Sequence, residues 1–176
     1  MPDAISSNSV DTPYRVAMLL MPDFPLMAFS STIEPLRAAN LLRGEQLFEW
    51  RCVSLDGEPV LSSSGISINC EEKVDDSHWA QILIVCAGPL ISQEECKRYH
   101  RGLNLHAKRG CTLAGISSGA VVLGSAGLLD GYRCTAHWEY IDSFAERFPL
   151  AEVIDQLYVI DRKRLTCSGG TAAMDM

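Results

Sequence analysis

None of the seven cysteines, at positions 52, 70, 86, 96, 111, 134 and 167, forms a C-x-x-C pair, so neither a zinc site nor a redox dithiol is suggested. No apolar run is long enough to span a bilayer. Basic residues are outnumbered, with 15 Lys and Arg against 22 Asp and Glu and a net charge of −7. That balance argues against a nucleic-acid surface here, because DNA affinity rests on clustered cations that neutralise phosphates. The one basic cluster, Arg162-Lys163-Arg164, sits between two apolar runs and reads as a hairpin turn. Internal repeats, linkers and low-complexity stretches are also missing. These gaps lead us to expect no metal, no cofactor and no membrane partner. The odd cysteine count and the lack of a signal-peptide pattern point to a reducing cytoplasm, with Cys52, Cys86 and Cys111 serving as small hydrophobes inside apolar runs.

What is present is enough for one core. The chain has 176 residues, 47% of them hydrophobic, which is the size and composition of a single globular domain. Residues 1–12 are polar and small and read as a loose tail, with the domain proper at 13–176. Tyr14 to Met21 is a continuous apolar run, as expected of a strand buried on both faces. A helical stretch follows to about Leu42. It starts either at a capping box of Ser31 and Glu34 or nearer Leu26 with a kink at Pro35. Leu47–Leu55 and Ile82–Ala87 read as further strands, Pro59–Cys70 as a hairpin, and Ser92–Lys108 as a polar amphipathic helix ending at Gly110. Tyr132–Ala136 reads as a short strand, Trp138–Phe148 as a helix, and Val153–Asp161 with Leu165–Cys167 as paired strands. Gly169–Met176 opens another helix with no stop signal, so the protein is expected to continue past Met176. Strands alternating with helices predict a three-layer α/β sandwich around a mostly parallel sheet, flavodoxin-like in plan.

The most informative segment is Gly115-Ile-Ser-Ser-Gly-Ala120, between Thr112-Leu-Ala and Val121-Val-Leu. It reads as a buried strand, a tight turn among small residues, and a helix start, the layout of a nucleophile elbow with Ser117 at its apex. Such an apex stands above the sheet edge and faces helix N-terminal amides. It suits a nucleophile, an oxyanion or a bound carboxylate.

With the elbow, the segment Gly127–Trp138 (GLLDGYRCTAHW) and the final CSGGTAAMD in view, the chain resembles the PfpI-like, class I glutamine amidotransferase-like superfamily. More narrowly, Met21–Trp50 together with GISSGA and Thr135-Ala-His-Trp138 is similar to the N-terminal sensory domain of certain AraC-family transcriptional regulators. The resemblance implies an effector-binding, dimerising domain, with DNA bound only through a helix-turn-helix portion beyond Met176. In enzymatic members of the superfamily the apex is a cysteine, a histidine follows the next strand, and a carboxylate often comes from the loop after the first strand. Here those positions read Ser117, His137 and Leu26-Met27-Ala28, so two of three depart from the enzymatic pattern.

A serine hydroxyl needs a base, and that base needs an orienting group. No acid is placed to orient His137, since Glu139 is two residues on. The elbow is therefore expected to be degenerate rather than catalytic. The alternative is a PfpI-like hydrolase or lyase using Ser117 and His137. The expected ligand contacts are Gly88, Ser117, Ser118, His137, Trp138 and Phe24, with main-chain amides at Gly88 and Ser118 holding an anionic group. Trp138 or Phe24 would face a cationic end through cation–π attraction, or else pack in the core. A small zwitterion, a quaternary amine or an amino-acid-derived metabolite would satisfy both ends. His78, His100 and His106 lie in polar contexts and are expected to face solvent.

Overall fold

The computed structural model describes residues 12–89 and 91–176, so all but the last residue of the expected tail lies outside the described residues. The chain opens with β1 (Tyr14–Leu20), whose last five residues are buried. Next comes α1 (Leu26–Arg43), which begins at Leu26 and carries Pro35 inside it. Gly44 ends α1 in the left-handed region at φ 68, where glycine pays no Cβ penalty. β2 (Phe48–Ser54) follows, then a small antiparallel hairpin of β3 (Val60–Leu61) and β4 (Ser67–Ile68), then β5 (Glu72–Lys73). β6 (Ile82–Ala87) is buried at every residue. α2 (Gln93–Lys108) starts at a reciprocal capping box of Ser92 and Glu95. β7 (Thr112–Ser117) and α3 (Gly119–Ser125) form the elbow.

The remaining elements are shorter than the apolar runs suggest. β8 (Arg133–Cys134) leads to a 3₁₀ turn at Trp138–Tyr140 and then α4 (Ile141–Arg147). The run from Val153 divides into β9 (Glu152–Val153), which pairs with β8 outside the main sheet, and β10 (Tyr158–Asp161). β10 pairs antiparallel with β11 (Arg164–Cys167). Gly170–Met174 is a 3₁₀ turn. The hairpin at 162–164 is present, with Arg162 at φ 52.

The main sheet has seven strands in the order β10-β11-β7-β6-β1-β2-β5, all parallel except at the β10 edge. Two apolar layers cover it. One joins Leu19, Leu83, Leu103, Leu123 and Phe144, and the other joins Met18, Leu20, Phe24, Ile84 and Ile116. This is the three-layer α/β sandwich expected. The chain leaves β1 towards β2 on one side and leaves β6 towards β7 on the other. The crevice between β1 and β6 is therefore the topological switch point, where ligands of open α/β sheets bind.

Two histidines correct the expectation of solvent exposure. His106 is 1% exposed on α2, with Nε2 3.0 Å from Ser77 Oγ and 3.1 Å from the Val74 carbonyl. His100 is half-buried and bonds Ser125 Oγ at 2.9 Å. Both sit on the side of a polar helix that faces the sheet layer, which polarity of sequence alone does not reveal.

Candidate functional site

β6 and β7 run side by side with Ala87 opposite Ser117, so the elbow apex stands one residue from Gly88 across the sheet. Ser117 is held at φ 54, a conformation rare for residues other than glycine. A side chain at Gly119 would run into the Val85 carbonyl, which explains why the helix can follow the strand so tightly. The Ser118 amide donates to the Ala87 carbonyl at 3.3 Å, so it is spent on the sheet rather than left for a ligand.

His137 stands close to the apex. A Cβ built on Gly169 would lie 3.4 Å from both Ser117 Cα and His137 Cδ2, so the loop after β11 passes between the two. The ring nevertheless turns elsewhere: His137 Nδ1 accepts from the Glu139 amide at 3.3 Å and lies 3.9 Å from Glu139 Oε2. Among the described residues no hydrogen bond joins His137 to Ser117. Leu26, Met27 and Ala28, where a family carboxylate would fall, form the first turn of α1, and Ala28 is fully buried. Cys167 also borders the apex through the main chain of Ser117 and Gly169. Burial pushes its thiol up, against the main-chain hydrogen bonds of Gly169 and Ser117, which disfavours the thiolate.

The other expected contacts divide. Phe24 is 0% exposed and packs edge-on to Phe29, with ring centres 5.6 Å apart. It is a core residue and offers no face to a ligand. Trp138 is the opposite, 70% exposed with its ring 5.4 Å from that of His137. Ser118 lines a hollow of about 140 Å³ with Val121, Tyr140 and Arg147. Gly88 lines a larger cleft of about 310 Å³ at the switch point.

That cleft is walled by residues the sequence did not single out: Asp23 and Ser63 on one side, Arg98 and Tyr99 of α2 on the other. Its first wall is rigidly tied. The Asp23 amide donates to Leu61 at 3.0 Å and the Ser63 amide to Phe24 at 3.0 Å, which bind the β3–β4 hairpin to the loop after β1. Asp23 itself is at φ 60. Non-glycine residues in such conformations cluster at functional sites. Asp23 and Ser117 hold two of the three such positions in the described residues, and both stand at the carboxyl edge of the sheet. Tyr99 is 4% exposed, and burial pushes its phenol up to about 12, so it stays a neutral donor. No group of His, Cys, Asp and Glu able to hold a metal occurs among the described residues, and no helix there is long and apolar enough to cross a membrane.

Comparison with known proteins agrees with this fold. The HTH-type transcriptional regulator CdhR of Pseudomonas aeruginosa is 42% identical over 158 residues, which cover 90% of this chain and 47% of that protein. GbdR, an HTH-type transcriptional regulator of the same organism, is 39% identical over 93% of this chain and 45% of its own length. The chain thus spans about half the length of the curated relatives it matches. The crystal structure of an AraC family transcriptional regulator from Pseudomonas putida superposes with a TM-score of 0.81 at 35% identity, covering 93% of this chain and 88% of that one. Residues 14–176, from the first residue of β1 to the end, match the DJ-1/PfpI family, and the chain belongs to that family.

Proposed function

We propose that residues 13–176 form the effector-binding and dimerising part of an AraC-type transcriptional regulator, without catalytic activity of their own. DNA would be bound by a helix-turn-helix part beyond Met176, as the names and lengths of the relatives suggest. The observation that carries this reading is at the elbow. Ser117 keeps the strained apex, while the base that would activate it, His137, accepts at Nδ1 from the Glu139 amide and makes no hydrogen bond to Ser117 among the described residues. A serine without an oriented base is a poor nucleophile. An effector would be held at the carboxyl edge of the sheet, where Gly88 borders both the elbow of Ser117, Ser118, His137 and Trp138 and the cleft beside it, and a small zwitterionic metabolite is the ligand class we favour. A cytoplasmic location accords with seven free cysteines, six of them buried.

The test is an activity screen of the 176-residue chain with ester, amide and glyoxal substrates, beside Ser117→Ala and a surface control, Ser143→Ala. No turnover that depends on Ser117 is expected. Turnover lost in Ser117→Ala and kept in Ser143→Ala would overturn the non-catalytic reading.

A further inference from the structure

We infer that the cleft between β1 and β6 is the seat of the effector, and that Arg98 and Tyr99 bind its carboxylate while Asp23 faces its cationic end. This deepens the effector-binding reading and rests on it. Three independent observations lead there.

The first is position. The cleft of about 310 Å³ opens at the carboxyl ends of the two strands from which the chain departs in opposite directions. Crevices of that origin are where open α/β sheets take ligands, and this volume lies at the small end of the range for small-molecule sites. Ser117, His137 and Trp138 do not line it, so it is distinct from the elbow.

The second is Tyr99. Its side chain is more than nine-tenths buried, yet its hydroxyl makes no hydrogen bond among the described residues. No fully buried side-chain polar atom there lacks a partner. The little of Tyr99 that remains accessible therefore includes the hydroxyl, and the residue lines the cleft. A buried phenol whose oxygen stays open to a cleft is a donor available to an acceptor there.

The third is charge. Arg98 lines the same cleft and takes part in no ion pair among the described residues, although Asp56 and Glu95 are near enough to act on it through space. Glu95 is occupied: its Oε2 accepts from the Ser92 amide at 3.1 Å and from the Ser92 hydroxyl at 2.9 Å. A guanidinium beside a neutral phenol is suited to a carboxylate, with the two-pronged geometry that lysine lacks. Asp23 comes from the other wall and likewise has no ion pair among the described residues, which leaves its carboxylate for an ammonium group. The lining thus asks for a short molecule with a carboxylate at one end and a cation at the other.

The test is a thermal-shift and calorimetric series on the 176-residue chain. The probes are the L-amino acids and N,N,N-trimethylglycine, each beside its carboxamide, which keeps the cation and lacks the carboxylate. Arg98→Ala is expected to weaken the best carboxylate by about tenfold or more, and Tyr99→Phe by about threefold. The matched amide should bind the unaltered chain at least about tenfold more weakly. Arg109→Ala, a change of equal charge at the opposite edge of the sheet, should leave binding unaltered. Arg98 is exposed, so its variant keeps the fold even if Tyr99→Phe lowers stability. A carboxylate that binds Arg98→Ala as well as the unaltered chain and is lost in Ser117→Ala overturns the cleft assignment and leaves the effector-binding reading standing. Absence of binding by every carboxylate at millimolar concentration overturns the cleft assignment too. The non-catalytic reading is decided separately, by Ser117-dependent turnover.

Discussion

Gly88 and Asp23 touch through their main chains: a Cβ on Gly88 would stand 2.5 Å from the Asp23 carbonyl oxygen and 3.3 Å from Asp23 Cβ. This contact joins the end of β6 to the loop after β1 and sets the width of the cleft between them. Neither partner can retreat easily, because the Asp23 amide is bonded to Leu61 and the neighbouring Met21 amide to Cys86 at 3.1 Å.

Replacing Gly88 by alanine should therefore force the two segments apart. Overpacking of this kind costs about 1–3 kcal/mol. Urea unfolding of Gly88→Ala is expected to show a lower midpoint with an unchanged slope, together with weaker ligand binding. A midpoint equal to that of the unaltered chain would show that the loop yields freely.

Stability should also depend on pH through His106. Burial holds its pKa below the usual 6.5, more strongly than its bond to the Val74 carbonyl raises it. Arg109 and His78 act in the same direction as burial, and Asp75 opposes it weakly. The native state then binds fewer protons than the unfolded chain just below pH 6.5, so stability falls as pH drops through that value towards the depressed native pKa. His100 contributes with the same sign, because burial and Lys97 lower its pKa as well. Urea midpoints measured from pH 8 to pH 5 should decline. His106→Gln should be less stable at pH 8 and lose less on acidification. A flat profile in the unaltered chain would contradict the burial of His106.

The strand runs were legible because buried parallel strands leave unbroken apolar stretches. Ile82–Ala87 is an example, bounded in the structure at the residues its sequence suggests. The elbow was legible for a related reason, since only small residues fit where β7 turns into α3. The cleft was not. Arg98 and Tyr99 lie on a helix whose polar sequence looks solvated, Ser63 lies in a hairpin turn, and only the crossing at β1 and β6 brings them to Asp23. Phe24 shows the converse limit, an aromatic just after a strand end that turns inward rather than outward. The burial of His106 is hidden in the sequence because one side of a polar helix is covered by Val74 and Ser77 from a distant loop.

The isolated chain should not bind duplex DNA. Its net charge is −7, and its basic triplet is engaged: Arg164 is buried and donates to the Leu128 carbonyl, while Arg162 pairs with Asp161 and lies over the Tyr132 ring. Gel shifts at moderate salt are expected to show no retardation at micromolar protein. Saturable retardation that weakens as salt rises would place DNA binding within these residues.

The chain should sediment as a dimer at tens of micromolar. Regulators that read paired half-sites are commonly two-fold symmetric, and the proposed function assigns dimerisation to this part of the protein. Sedimentation of a monomer alone at that concentration would remove dimerisation from residues 13–176.

The most direct measurement of the central claim is to recover the ligand. The best-binding carboxylate of the series is incubated with the 176-residue chain at stoichiometric concentration, binding is followed by calorimetry, and the small molecule is then identified by NMR. A sensing domain with a degenerate elbow should bind saturably, with a rise in melting temperature that grows with ligand concentration, and should return the molecule chemically unchanged. Conversion of the molecule to product by the unaltered chain, abolished in Ser117→Ala, would contradict a non-catalytic sensing role.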